Sequence, residues 1–248
     1  MSIKRRLLDA LLASSYYPHI YFFKVPFKTI EWYAMMRNVA FSPADKILDI
    51  GSGLGLQTAL LAQKAGHVIG IDPQENAINV AKSEQAALDP LGKIDFKCAT
   101  IENACLPDNY FDKVFSVCVL EHIPDYMSVL REAYRVLKPG GQLVFSVDSL
   151  ASIKNRKAVD RHRERYAVCR YFKPDELKRD FERAGFKNVT VVPFLKSDLA
   201  SRWFEKAIWE EFKFRYIEAW WKYQILRLIE PFYAGRDQGI YLLVNAFK

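Results

Sequence analysis

The sequence predicts an α/β fold, helices on both faces of a mostly parallel sheet, and three observations predict it. A short, mostly apolar run, Lys46-Ile-Leu-Asp-Ile50, is followed at once by glycines at alternate positions, Gly51, Gly53 and Gly55. A helical pattern then runs through Thr58, Leu60, Leu61 and Ala65 until Gly66 stops it. A second apolar run over 67–71 ends on an acid, Asp72, and strand-like and helix-like segments keep alternating as far as the stretch 239–247.

The glycine turn is where a ligand would touch backbone. Without side chains at Gly51 and Gly53 the chain can reverse tightly beside a nucleotide-like group, and the helix opening near Gly55 presents unpaired N–H groups to the same space. A dinucleotide-binding turn has its third small residue at the position Leu56 fills here; this third glycine comes one residue earlier. Asp49, just upstream, would repel a pyrophosphate and suits a ligand carrying an ammonium group.

Asp49-Ile-Gly-Ser-Gly-Leu-Gly55 matches every fixed position of the acid-x-Gly-x-Gly-x-Gly motif of the class I S-adenosylmethionine-dependent methyltransferases, which the chain resembles. The resemblance implies a Rossmann-like three-layer sandwich: a seven-stranded, mostly parallel sheet with an antiparallel last strand, N-terminal helices, and a helical insertion before the last strand. It implies S-adenosylmethionine as cofactor, S-adenosylhomocysteine as product, and cofactor contacts from Asp49, Gly51, Ser52 and Gly53.

Asp72 lies 23 residues beyond Asp49, which in a strand-helix-strand unit sets its carboxylate at the end of the neighbouring strand, where it can accept ribose hydroxyls. Asp72-Pro73 also reads as the start of the helix of Asn76, Ile78 and Val80, and the two roles are compatible. Residues 93–97 alternate as a third strand. After such a strand the resembled family places an acid against the adenine amino group and then a small apolar residue; those positions fall on Thr100 and Ile101, with Glu102 as a substitute acceptor.

Leu106-Pro-Asp-Asn-Tyr-Phe-Asp112 leads into a fourth strand and then Cys118-Val-Leu-Glu-His-Ile-Pro124, phrases similar to those of the branch containing ubiquinone and menaquinone methyltransferases. Cys118 and Val119 are expected beside the methionine part of the cofactor. A helix over 126–137 ends at Lys138-Pro-Gly-Gly141 before a fifth strand, 142–147; a helix opening at Phe172 and closed by Gly185 precedes a sixth, 186–193.

At 248 residues with ordinary globular composition, one domain is expected. It comprises an N-terminal helical cap (1–45), a cofactor-binding core (46–148), a basic insertion (149–172) and a C-terminal part (173–248) with an aromatic-rich helical insertion over about 198–235. The cap reads as two short helices, one before Tyr16-Tyr17-Pro18 and one over about 27–39, lying over the open edge of the cofactor site. Four cysteines without a Cys-x-x-Cys pair suggest neither zinc nor a disulfide framework, and Asp9 interrupts what would be the apolar centre of a signal peptide. A cytoplasmic protein is expected, with peripheral contact at an inner membrane surface as an option.

Residues 149–173 hold eight bases against two acids, nearly the whole of the chain's +7. They read either as a solvated helical face or as a patch for an anionic substrate or membrane. Nucleic acid is not expected, because stacking support is confined to Tyr166, Tyr171 and Phe172. Between 203 and 233 lie four of the five tryptophans, at helical spacings that serve added core yet exceed one face, so a lid, a homodimer surface or an interfacial platform is also open.

The expected function is methyl transfer to an oxygen, less favourably a carbon or nitrogen, of a small-molecule or lipid-linked acceptor. The alternatives are a non-catalytic binding protein on the same fold and a nicotinamide-dependent oxidoreductase. His122, following the fourth strand, is the candidate base, with helix capping or pocket lining as its other reading. The ubiquinone O-methyltransferases associate this histidine and nearby acids with a divalent metal; Cys118 stands where one of those acids would be, so no metal is expected to be required.

Overall fold

The structure, a computed structural model, describes residues 25–85, 89 and 91–248; the helix expected before Tyr16 lies outside them. Seven strands form one sheet: β1 (Lys46–Ile50), β2 (His67–Asp72), β3 (Ile94–Cys98), β4 (Phe111–Val117), β5 (Leu137–Asp148), β6 (Lys187–Phe194) and β7 (Tyr241–Phe247). Their order is β3-β2-β1-β4-β5-β7-β6. The first five run parallel, and β7 is inserted antiparallel to both β5 and β6, as the resemblance implies. The sheet order reverses beside β1, so a crevice opens beyond the carboxyl ends of β1 and β4, where ligands bind in open sheets of this kind.

Eight α-helices are described: α1 (Pro26–Met36), α2 (Leu56–Ala62), α3 (Glu75–Ser83), α4 (Tyr126–Val136), α5 (Arg156–Tyr166), α6 (Pro174–Arg183), α7 (Asp198–Trp209) and α8 (Tyr216–Ile229). Strand alternation splits the core between the two faces. Leu48, Ile50, Ile69 and Ile71 pack with α4 and α6 through Val129, Leu130 and Phe181; Ile47, Val68 and Phe115 pack with α1 and α2 through Trp32, Met35 and Leu61. Asp49 is in phase with Ile47, so β1 carries an acid into a face otherwise apolar. A third cluster joins Phe27 and Ile30 of α1 to Phe204 and Ile208 of α7, Tyr223 and Leu226 of α8, and Tyr241 of β7. Much of the aromatic insertion is therefore core.

The stop at Lys138-Pro-Gly-Gly141 takes a different form from the one expected. Leu137 already pairs with Phe111, the next pair is Lys113 with Gln142, and the four intervening residues loop out inside β5, with Gly140 at φ +77°. Proline and glycine cannot sit flat in a central ladder, so they mark a bulge here and the helix ends at Val136.

Candidate functional site

The turn after β1 is sewn to the end of β2: the N–H groups of Gly51 and Ser52 both donate to the Ile71 carbonyl, at 2.8 and 3.0 Å. Gly51, Gly53 and Gly55 all have left-handed φ, +74°, +51° and +83°. The three serve different ends. A Cβ on Gly51 would meet Val119 Cγ2 at 2.3 Å and one on Gly55 would meet Phe96 Cζ at 2.6 Å, whereas one on Gly53 would have nothing within 4 Å. Gly51 and Gly55 are thus packing glycines, and Gly53 faces open space. Gly51→Ala is expected to cost about 1–3 kcal/mol from overpacking and left-handed strain, read as a lowered melting temperature. Val119→Ala in that background should return the packing part and leave the strain.

Two carboxylates flank the turn. Asp49 is fully buried; its Oδ2 accepts from Thr58 Oγ1 at 2.7 Å, while Oδ1 is buried with no hydrogen-bond partner. Burial, the Thr58 hydrogen bond acting against it and the neighbouring charge of Asp72 leave its pKa pushed up to about 7. Asp72 accepts from Gly53 N through Oδ2 at 3.0 Å and from Gln74 N through Oδ1 at 2.8 Å. It therefore braces the glycine turn and the entry to α3 together, each oxygen keeping a lone pair for a further donor. Ser52 is buried with an unpartnered hydroxyl, and Pro73 is exposed beside Asp72.

On the adenine side Thr100 is exposed and the Ile101 side chain is buried. Glu102 is turned toward α4, where its Oε1 accepts from Ser128 Oγ at 2.6 Å. Partial burial raises its pKa, but the hydrogen bonds from Ser128, its own backbone and Thr100 prevail and hold it below the usual carboxylate range.

A cavity of ≈ 340 Å³ opens at the ends of β4 and β5. Val25 and Lys28 come from α1 and the residue before it, Gln57 from α2, Cys118 and His122 from the segment after β4, Asp148 from β5, His162 and Tyr166 from α5, Phe204 from α7 and Tyr241 from β7. Cys118, expected from the sequence beside the methionine part of the cofactor, lines this cavity at left-handed φ +53°. Its Sγ accepts from Lys28 Nζ at 2.7 Å and is itself placed to donate to Glu31 Oε1 at 3.2 Å or Asp148 Oδ1 at 3.6 Å. Burial first, and then Glu31, push the thiol well above its ordinary pKa, outweighing Lys28. It is a thiol, not a thiolate nucleophile. Desolvation opposes the charge on Lys28, yet its charged neighbours, the carboxylates of Glu31 and Asp148 among them, hold its ammonium above the ordinary value.

Glu121 is fully buried with Oε1 accepting from Asp148 N at 3.2 Å and Oε2 unpartnered; burial, then the charge of Asp148, push its pKa well up. Ligand atoms of Cys118, Glu121 and Asp148 lie within 4.8 Å of one another, a set of residue types able to hold a cation. Lys28 Nζ, at 2.7 Å from Cys118 Sγ, already supplies positive charge there.

Two histidines, His122 and His162, line the cavity. His122, the residue expected from the sequence, ends a short 3-10 turn (Leu120–His122) and is exposed. His162 is buried on the inner side of α5, below Asp148. Its Nδ1 lies 3.1 Å from Tyr171 Oη and its Nε2 3.7 Å from Asp148 Oδ2. Tyr171 donates to the Val159 carbonyl, so its oxygen accepts from Nδ1–H and Nε2 keeps the lone pair. Desolvation lowers the His162 pKa, against the pull of Asp148.

The sequence model of a family described as "Methyltransferase domain" matches residues 48–145. An arsenite methyltransferase of Halobacterium salinarum is 32% identical over 158 residues, covering 62% of this chain and 40% of that protein. A demethylmenaquinone methyltransferase of Listeria monocytogenes is 34% identical over 136 residues, covering 54% of this chain and 57% of that protein. The chain thus matches about half the length, or less, of these curated relatives. Among solved structures, phosphoethanolamine N-methyltransferase 2 of Haemonchus contortus in complex with S-adenosylmethionine superposes with a TM-score of 0.66 at 20% identity, over 89% of this chain and 52% of that one, a likeness of fold. With the matched core, the sheet order and the acid-led glycine turn in agreement, residues 48–145 carry a methyltransferase domain, set in the fold of the class I S-adenosylmethionine-dependent methyltransferases.

Proposed function

We propose that the protein transfers a methyl group from S-adenosylmethionine to a hydroxyl oxygen of a small acceptor with an aromatic or apolar body. The observation that carries this reading is the acid-led glycine turn: Gly53, where an added Cβ would meet nothing within 4 Å, is held through its N–H by Asp72, and Asp49, two residues before Gly51, keeps a buried oxygen without a partner. A ligand with an ammonium and a ribose diol answers both acids. Asp49, Gly51, Ser52 and Gly53 would hold the methionine end with Cys118 and Val119, Asp72 and Pro73 the ribose, and Thr100, Ile101 and Glu102 the adenine.

When bound, the cofactor supplies an electrophilic methyl group, and what remains for the chain is positioning and proton removal. Phe204, Phe212, Tyr166 and Tyr241 line the cavity with rings, which suits an apolar acceptor body and keeps water out. His162 Nε2 would take the proton of the acceptor hydroxyl as its oxygen bonds to the methyl carbon and the carbon–sulfur bond breaks, S-adenosylhomocysteine being the leaving group, and Asp148 would stabilise the resulting imidazolium. His122, exposed on the same cavity, is the competing base. Lys28 supplies the local positive charge, so no metal is given a role.

Isothermal titration of the full chain tests the cofactor: saturable binding of S-adenosylhomocysteine and none of a nicotinamide dinucleotide is the expected result, and the converse overturns the reading. Transfer of labelled methyl to phenolic acceptors, but not to amines of similar size, tests the acceptor atom.

A further inference from the structure

A second cleft, ≈ 840 Å³, shares no lining residue with the first. It lies between α1, the end of β6 and α8, with Tyr33, Val192, Trp220 and Tyr223 among its walls and Arg37 and Arg227 on exposed positions at its rim. Its one acid is engaged: Glu230 accepts the backbone N–H groups of Lys196 and Ser197, at 2.7 and 3.2 Å. Among the described residues neither guanidinium has an ion-pair partner, nor does that of Arg215 at the start of α8.

The outer face of α8 continues this cleft. Ala219, Tyr223 and Leu226 point into the core, yet the opposite side is also apolar. Ile217, Trp221 and Leu228 fall within roughly 40° of one another around a helix of 3.6 residues per turn. Ile217 is 76% exposed and Leu228 70%, and Phe232, just past the helix, is 87% exposed. Trp220 packs edge-on against Trp221 at 4.8 Å between centroids. Together these side chains expose on the order of 500 Å², the size of patch that marks an interaction surface. A helix apolar on both sides is not finished by its own fold.

We infer that the cleft and the outer face of α8 form a membrane-docking surface that takes an anionic phospholipid, an acyl chain lying along Tyr33, Trp220 and Tyr223 and the phosphate meeting Arg37 and Arg227. Charge decides between occupants. A second copy of this chain would bring Arg37, Arg215 and Arg227 against themselves, in a protein already carrying +7. An anionic bilayer neutralises them, and tryptophans bordered by arginines are the side chains that settle at a lipid–water interface. No helix among the described residues is long and apolar enough to cross a membrane, so the contact is peripheral.

Co-sedimentation of the full chain with vesicles, in the absence of any methyl donor, tests this independently of the methyltransferase reading. Binding is expected to vesicles containing phosphatidylglycerol and not to phosphatidylcholine alone, and to weaken with salt. Arg37→Gln and Arg227→Gln should each weaken it by about fivefold, and Ile217→Glu with Leu228→Glu should abolish it at an unchanged melting temperature. Bromine-labelled acyl chains should quench tryptophan fluorescence, and less so after Trp220→Phe with Trp221→Phe. Failure to bind anionic vesicles overturns the inference. So does binding that survives Ile217→Glu with Leu228→Glu but is lost on Arg161→Gln with Arg163→Gln, which would move the surface to α5. A dimer dispersed by Ile217→Glu, with no vesicle binding, would make the face an interface between copies.

Discussion

Asp49→Asn is expected to abolish S-adenosylhomocysteine binding while making the free protein more stable above neutral pH. The carboxyl group is fully buried, one oxygen is satisfied by Thr58 and the other is left bare, and its pKa stands at about 7 against 3.8 for the free side chain. A group whose folded pKa is raised binds its proton more tightly in the native state. Stability is therefore highest below pH 3.8 on this account and falls as pH climbs from there to about 7, by on the order of 4 kcal/mol if Asp49 alone is counted. Asparagine removes that loss, though its amide leaves a buried donor in place of the bare oxygen and gives back about 1–3 kcal/mol. Net stabilisation at pH 8 is then of order 1–3 kcal/mol, measurable as a higher denaturant midpoint. Binding should fall at least about a hundredfold, since the anion facing the ligand's ammonium has gone. An Asn variant that binds as tightly as the parent would detach Asp49 from the cofactor; one that is less stable at pH 8 would refute the cost assigned to the bare carboxylate.

That trade explains why this part of the site was legible before any coordinates. An acid inside an apolar strand, followed by glycines, violates local packing preferences for no structural gain, and such a violation points to a ligand. Asp72 was readable for the same reason; its carboxylate accepts from Gln74 N at the helix start, one of the two roles its position suggested, and from Gly53 N in the turn, while the ribose contact remains part of the proposal. Alternating apolar runs and helical patterns pointed to the mostly parallel sheet, whereas the antiparallel last strand came only with the family resemblance. His162 was hidden because α5 is so strongly charged that its pattern reads as a solvated face; the only signal was the pairing of Ala158 with His162 at i, i+4, the two residues the helix buries. Lys28, Glu31 and Asp148 come from distant parts of the chain, and nothing in sequence spacing brings them to Cys118. The aromatic insertion was half legible: Phe204, Ile208, Tyr223 and Leu226 are core, while the apolar outer side of α8 could be told from core only once its neighbours were known.

The acceptor side yields the second large effect. His162→Gln is expected to lower kcat for a hydroxyl acceptor by about 10² to 10⁴, the usual contribution of a positioned general base, and to leave S-adenosylhomocysteine affinity unchanged. The pH profile separates a base from a structural residue. Burial lowers the His162 pKa from the ordinary histidine value, against the pull of Asp148, so kcat/KM should rise with pH along an acid limb whose midpoint lies below that ordinary value. That acid limb should vanish in His162→Gln and persist, at nearly full rate, in His122→Gln, whose side chain is exposed and lacks the Tyr171 and Asp148 partners. Asp148→Asn should keep the limb but shift it to lower pH, because the one neighbouring group that favours the imidazolium has been neutralised. Stability moves in the same sense: the unfolded chain takes up a proton at pH 6.5 that buried His162 resists, so the native state weakens as pH falls below 6.5 and the His162→Gln variant weakens less. If the limb instead follows His122, proton removal belongs to the exposed histidine and the Asp148–His162–Tyr171 chain is only a prop for α5.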